Sequence, residues 1–271
     1  MENLDKRNEK YEDHEELELD GILGNAEWTQ QARNLLEGFH HFSGNESLAL
    51  FVRHSHRLNT DDPKKMITLG LTEKGKEVAI KFGTNLPKDK HLRIFHSSSP
   101  RCKQTGYSIL KGFQSKGGSG EIVGNFPVLY NIGGTGEFIA GEMMRYSGSG
   151  FIERWHGKVY SVENVMPFVQ YCSLAFSEIR KKLAHDTERQ IDVYVTHDLH
   201  LMSYRKGWFG FELKGGWTSF LGGFFLSVKG IKACLFDSVL NRFFEGKFNG
   251  GERQALPLVS LNTKKSGGDD D

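Results

Sequence analysis

Cysteine is scarce in this chain: three residues, Cys102, Cys172 and Cys234, odd in number and widely spaced. That spacing excludes a disulfide framework and fits a reducing compartment, so the expected location is the cytoplasm. Net charge is nearly absent too, at +1, which argues against bulk attraction to nucleic acid or to a membrane surface. No apolar run approaches the length of a bilayer span. The first residues lack the cationic-then-apolar pattern of a secretory signal. No internal repeat is present. What remains, 271 residues with 38% hydrophobic content, is enough to fill one sizeable core, and a single soluble enzyme domain is expected.

The ends carry little information. Residues 1–20 hold nine acidic and three basic residues and almost nothing apolar, so a flexible acidic arm is expected over 1–25. The body should run over 26–258, followed by a disordered tail at 259–271.

The chemistry is concentrated where apolar runs stop. Leu48 to Val52 reads as a buried strand that ends in Arg53-His54-Ser55-His56-Arg57. A strand ending in cationic groups delivers them to the lip of a sheet, where open α/β folds bind ligands. Guanidinium forks match the oxygens of a tetrahedral dianion in pairs, and a histidine between them can act as a nucleophile. A second piece is Arg93 to His96, a short strand, followed by Ser97-Ser98-Ser99-Pro100-Arg101, which starts a helix and sets an arginine on its first turn. A third is the strand Ile191 to Val195, ending at Thr196-His197-Asp198. If the sheet is parallel, the three ends converge on one crevice, and Asp198 is placed to give a proton to a departing oxygen.

Together these segments resemble the histidine phosphatase superfamily, the phosphoglycerate mutase and acid phosphatase clan. Arg53 to Arg57 is similar to its Arg-His-Gly-x-Arg signature, with Ser55 in the glycine position. Ser97-x-x-x-Arg101-Cys102-x-x-Thr105 resembles its second motif, and Thr196-His197-Asp198 its late histidine motif. Leu71-Thr72-Glu73-Lys74-Gly75 is similar to its Leu-Thr-x-x-Gly helix start. One branch carries its acid after the second motif, where this chain reads Leu129-Tyr130-Asn131-Ile132-Gly133. The acid phosphatase-type branch uses the residue after the late histidine, which favours Asp198 over Glu137 or Glu142.

The resemblance implies a phosphomonoester phosphatase that works through phosphohistidine at His54 and requires no metal or other cofactor. Arg53, Arg57, Arg101 and His197 would hold the phosphate, and Asp198 would be the general acid. His56, Ser55 and Arg145 are candidate substrate contacts. The expected partner is a small phosphate ester or phosphorylated ligand. A glycine in the position of Ser55 would permit a positive φ, which would strain a serine, but serine is small and the pocket is expected to survive.

Other readings are a mutase-like phosphotransferase, a silent phospholigand-binding module, and a metal-dependent hydrolase built from His54, His56, His197, Asp198 and His200. The last leaves three arginines unexplained. Gly133-Gly134-Thr135-Gly136 lacks the lysine and spacing of a P-loop.

The expected fold is a three-layer α/β/α sandwich with a mostly parallel mixed sheet and a small cap at about 133–160. Crossover helices are expected at 75–84, 101–112 and 163–183, a flexible loop at 115–120, and an edge hairpin from Phe220–Val228 and Ile231–Phe236.

Overall fold

The computed structural model describes residues 23–24, 26–42, 46–58, 68–184, 189–229, 232–248 and 259–263. Most of the expected acidic arm, residues 1–22, lies outside these, as do residues 264–271. Leu23, at the end of the expected arm, is fully buried.

The chain forms an α/β/α sandwich around one mixed sheet. In order the elements are α1 (Gln30–Gly38), β1 (Leu48–Arg53), α2 (Glu73–Thr84), β2 (His91–His96), α3 (Pro100–Ser115), β3 (Gly120–Asn125) and α4 (Gly136–His156). Then follow α5 (Phe168–Ala184), β4 (Gln190–Thr196), α6 (Asp198–Phe209), β5 (Gly223–Lys229), β6 (Lys232–Asp237), β7 (Arg242–Phe248) and β8 (Val259–Thr263). The sheet order is β3-β2-β4-β1-β5-β6-β7-β8. Its first four strands are parallel, and β5 to β8 continue it antiparallel.

Strand β1 is apolar on both faces because both faces are covered. Leu48, Leu50 and Val52 pack with α1, α2 and α3, while Ala49 and Phe51 face the layer built by α4, α5 and α6. A ladder of rings, Phe95, Tyr194, Phe51 and Phe224, crosses β2, β4, β1 and β5 with centroids 5.1, 4.9 and 4.6 Å apart. Such pairs resist register slips, and a slip would turn every strand-end side chain to the wrong face. On the opposite layer α2 and α3 approach closely. A β-carbon on Gly83 would stand 2.0 Å from the carbonyl oxygen of Ile109, and one on Gly112 would stand 1.9 Å from that of Ile80. Only glycine fits there.

The site's location follows from this topology. The chain leaves β1 for a helix on one face of the sheet and leaves the adjacent β4 for α6 on the other. A crevice opens at such a switch point, outside the carboxyl ends of the strands.

Several sequence expectations need correction. The hairpin β5–β6 is internal, not at an edge, because β5 pairs with β1 and β6 with β7. Phe220 precedes β5 and lies in a turn. Residues 259–263, expected in a disordered tail, form β8. The loop expected at 115–120 ends where β3 begins, an edge strand whose glycines and sparse apolar residues hid it. The stretch expected as a cap needs no such correction: it holds α4, with a break at Ser147. Among the described residues no helix is long and apolar enough to cross a membrane.

One buried ion pair fixes α6 to the antiparallel half. Arg205 Nε and Asp237 Oδ2 are 2.6 Å apart with both side chains fully buried, and Asp237 Oδ1 also accepts from the amides of Val239 and Leu240. Asp237→Ala would leave a buried guanidinium unpaired, at a cost of about 3–5 kcal/mol. Urea unfolding should show the midpoint falling with an unchanged slope. A parental midpoint would mean that the pair does not anchor α6.

Candidate active site

The three strand ends converge. Arg53 at the end of β1 pairs in register with Thr196 at the end of β4, and His96 of β2 with Val195. His54, Ser97 and His197 therefore follow three neighbouring parallel strands and share one lip of the sheet.

His54 is almost fully buried. Its Nδ1 lies 2.8 Å from the carbonyl oxygen of Ser55. A carbonyl only accepts, so Nδ1 carries the proton and Nε2 holds the free lone pair. Nε2 in turn accepts from Arg101 Nε at 3.2 Å. Burial, then the charges of Arg53 and Arg101, hold the imidazole well below its ordinary pKa. His54 is thus a neutral, oriented nitrogen base among cations.

Arg101 reaches two histidines. Beyond His54, its second nitrogen donates to His197 Nδ1 at 3.3 Å. His197 Nε2 then donates to Ser97 Oγ at 3.0 Å. Burial, His54 and Arg101 keep His197 well below its ordinary pKa. Arg101 gains its position from the start of α3, where Ser99 caps the amide of Cys102 and Pro100 occupies the first turn. Thr105, one turn on, accepts from the amide of Ser55 at 2.9 Å and donates to the carbonyl of Arg101. That hydroxyl ties the first motif to the second.

Arg53 lies across the crevice. It donates to the carbonyl of Thr218 at 2.8 Å and meets Asp198 Oδ2 at 3.0 Å. Its guanidinium carbon stands 4.4 Å from the centre of the Phe220 ring. Asp198 begins α6, where a carboxylate suits the helix N-terminus, and Oδ1 accepts from the amide of Leu199 at 2.8 Å. Trp217 Nε1 donates to Oδ2 at 3.0 Å. Burial alone would raise the Asp198 pKa, but Arg53, the indole N–H and the Leu199 amide together bring it below its usual value.

Ser55 is fully buried, and its hydroxyl donates to the carbonyl of Gly75 in α2 at 2.7 Å. Its φ is not positive. The strain that a positive φ would put on a serine does not arise, and the side chain braces the loop against α2 instead of facing a substrate. His56 is buried between Trp28 and Phe220, with Nδ1 2.9 Å from the Thr72 hydroxyl. Arg57 donates to the carbonyl of Leu58 and lies near enough to Arg101, Arg53 and Asp198 for their charges to act on it. Arg145, a candidate substrate contact, is 69% exposed beside Glu142 on α4, 3.7 Å away, and among the described residues no hydrogen bond or ion pair joins it to the crevice. Glu137 is exposed at the start of α4.

Sequence reasoning missed the loop before β5. Trp217, Thr218 and Phe220 all contact Arg53 or Asp198, and Gln31 of α1 fixes the loop through the carbonyl of Trp217 and the amide of Ser219, both at 2.9 Å. The one signal was a Trp just ahead of the expected strand, with Phe220 read as that strand's first residue.

Three guanidinium groups against one carboxylate give this crevice an excess of positive charge, which favours an anion. Among the described residues no group of three or more His, Cys, Asp or Glu side chains is arranged to hold a metal. The free lone pairs of His54 and His197 both meet Arg101 and not a common point.

No protein-family model matches the sequence, and no curated protein matches it. Solved structures resemble it in backbone. Phosphoglycerate mutase from Bacillus anthracis str. Sterne is 14% identical, with 82% of this chain and 93% of that one covered at a TM-score of 0.45. Mycobacterial glucosyl-3-phosphoglycerate phosphatase is 12% identical, with 81% and 98% covered at 0.47. Bacillus stearothermophilus YhfR is 16% identical, with 80% and 96% covered at 0.45. The functional reading rests on the site's own geometry.

Proposed function

We propose that this chain is a histidine phosphatase that hydrolyses a phosphomonoester through a phosphohistidine on His54, with Asp198 as acid and then base. What supports it most is the His54 tautomer: a proton fixed on Nδ1 and a free lone pair on Nε2, in a crevice with Arg53, Arg57 and Arg101.

In the first step Nε2 forms a bond to phosphorus as the bond to the ester oxygen breaks. The arginines balance charge on the phosphoryl oxygens, which is the main demand of phosphoryl transfer. Asp198 gives its proton to the leaving oxygen. In the second step water attacks phosphorus, Asp198 takes the proton, and His54 is released with inorganic phosphate.

In the free protein Asp198 is held as a carboxylate, and a bound phosphate dianion changes that. It competes for Arg53 and places negative charge beside the carboxylate, and both effects raise its proton affinity. The acid role is therefore coupled to substrate binding, and turnover is expected to favour mildly acidic pH.

The test is a panel of sugar phosphates, inositol phosphates, nucleotides and phosphopeptides, run with and without chelator, on the parent and on Asp198→Asn. Alkyl phosphates need a proton on the leaving oxygen, so Asp198→Asn should lose activity on them by about 10²-fold or more, the scale of general acid catalysis. p-Nitrophenyl phosphate leaves as a stabilised phenolate and should lose much less. Equal losses on both would remove Asp198 from the acid role.

A further inference from the structure

Trp217 touches more than Asp198. Helix α4 breaks at Ser147, whose φ of 63° and ψ of 171° are non-helical. A non-glycine residue in that region persists only where its surroundings hold it there. Gly148 follows directly, and a β-carbon on it would stand 2.9 Å from both Cζ2 and Cη2 of Trp217. The six-membered edge of the indole is thus seated against the break in α4. The five-membered edge of the same ring donates Nε1–H to Asp198 Oδ2 at 3.0 Å. An indole is rigid, so moving one edge moves the other. Gln31 holds the Trp217 carbonyl at 2.9 Å, which fixes the backbone from which the ring projects.

We infer that Trp217 is a positioning residue for the proton transfer, spanning from the break in α4 to Asp198 and orienting that carboxylate toward the leaving oxygen. The seat of α4 is thereby felt at the acid. This rests on the phosphatase reading above.

The charged and titratable groups acting around Asp198 are Arg53 from β1, Arg57 after it, Arg101 from α3, and His197 and His200 beside it in the chain. Trp217 is a neutral donor among them. Removing its N–H leaves every charge in place, so a shift in the acid's titration is attributable to one hydrogen bond. Its sign is fixed: a carboxylate that loses a donor holds its proton to higher pH.

Trp217→Phe keeps an aromatic ring in the loop, deletes the donor and withdraws the ring edge from Gly148. With a saturating alkyl phosphate, kcat falls at high pH as Asp198 of the substrate complex loses its proton. In Trp217→Phe that falling limb should move to higher pH by about one unit, the scale of one lost hydrogen bond to a charged group. kcat should also drop, while vanadate affinity is retained. Gly148→Ala touches no reacting group, but its β-carbon must displace the indole, so the same limb should shift in the same direction. The double variant should shift no further than Trp217→Phe alone, because both changes act on one contact.

An unmoved limb in a Trp217→Phe protein that still binds vanadate would overturn the inference. A limb that moves in Trp217→Phe but not in Gly148→Ala would overturn the link to α4. If Trp217→Phe does not fold, Gly148→Ala carries the test alone: a moved limb supports the link and an unmoved one overturns it. Asp198→Asn separates the underlying reading. If the falling limb survives in that variant, Asp198 is not the acid, and the phosphatase mechanism fails independently of Trp217.

Discussion

Replacing His54 with alanine is expected to abolish turnover while leaving the fold intact. The imidazole is held by one carbonyl and one guanidinium at the end of β1, outside the ring ladder and the buried ion pair that stabilise the sandwich. Its loss opens a small space at the crevice and removes ring contacts with Phe220 and His197, but none within the ring ladder of the sheet. The chemistry has no substitute in place: with Nε2 gone, the other imidazole lone pair at the strand ends, on His197 Nδ1, lies at the other arm of the Arg101 fork. The expected drop in kcat is about 10⁴-fold or more, the scale of losing the nucleophile from a group that acts as a unit. Quenching the parent with labelled substrate should trap an alkali-stable, acid-labile phosphoenzyme, and the alanine variant should show none. Vanadate should still bind the variant, since the arginines remain. Normal turnover by His54→Ala would remove it as the nucleophile.

The pH dependence has a definite sign. Burial and the neighbouring cations lower the His54 pKa, so the nucleophilic form survives below about pH 6.5, where an ordinary histidine becomes protonated. The acid-side limb of the rate profile should therefore lie lower than a free imidazole would place it. A bound phosphate ester works against this, because its negative charge favours the imidazolium.

The motifs at 53–57, 97–105 and 196–198 were legible because each is a switch from an apolar run to cationic or hydroxylic residues. In a parallel α/β sheet that switch marks the end of a strand and hence the ligand-binding lip. What the motifs could not reveal is the partner of each side chain. Arg53 and Asp198 are 145 positions apart, and they meet because β1 and β4 are neighbours. The Trp217–Phe220 loop contacts Arg53, Asp198 and Gln31 across gaps of 19 to 188 positions. No local period encodes such contacts. Ser55 shows the converse. Sequence flagged it as a departure, and the structure supplies the compensation, a hydroxyl donated to the Gly75 carbonyl of α2 with no positive φ. Strand β3 was missed for a simpler reason: an edge strand with two glycines and alternating exposed residues has little apolar signal to read.

Arg101→Ala should produce the next largest loss, a fall in kcat of about 10³-fold, since each donor aimed at developing charge is worth about 10² to 10³ and this side chain carries two. Its fork spans both histidines, 3.2 Å to His54 Nε2 and 3.3 Å to His197 Nδ1. A phosphoryl group attacked by Nε2 must enter that same space and take over those donors. Arg101→Lys keeps the charge but loses the planar fork, so it should recover little of the rate. A second readout separates this role from a structural one. Arg101 is among the charges that lower the His54 pKa. Without it the imidazolium is favoured, and the acid-side limb of kcat/KM should move to higher pH in Arg101→Ala. Lysine should leave that limb nearer the parental position while failing to restore kcat. Vanadate affinity should weaken in both variants. If Arg101→Ala keeps the parental kcat, the parental acid limb and the parental vanadate affinity, then the start of α3 and the end of β1 do not share one phosphate pocket.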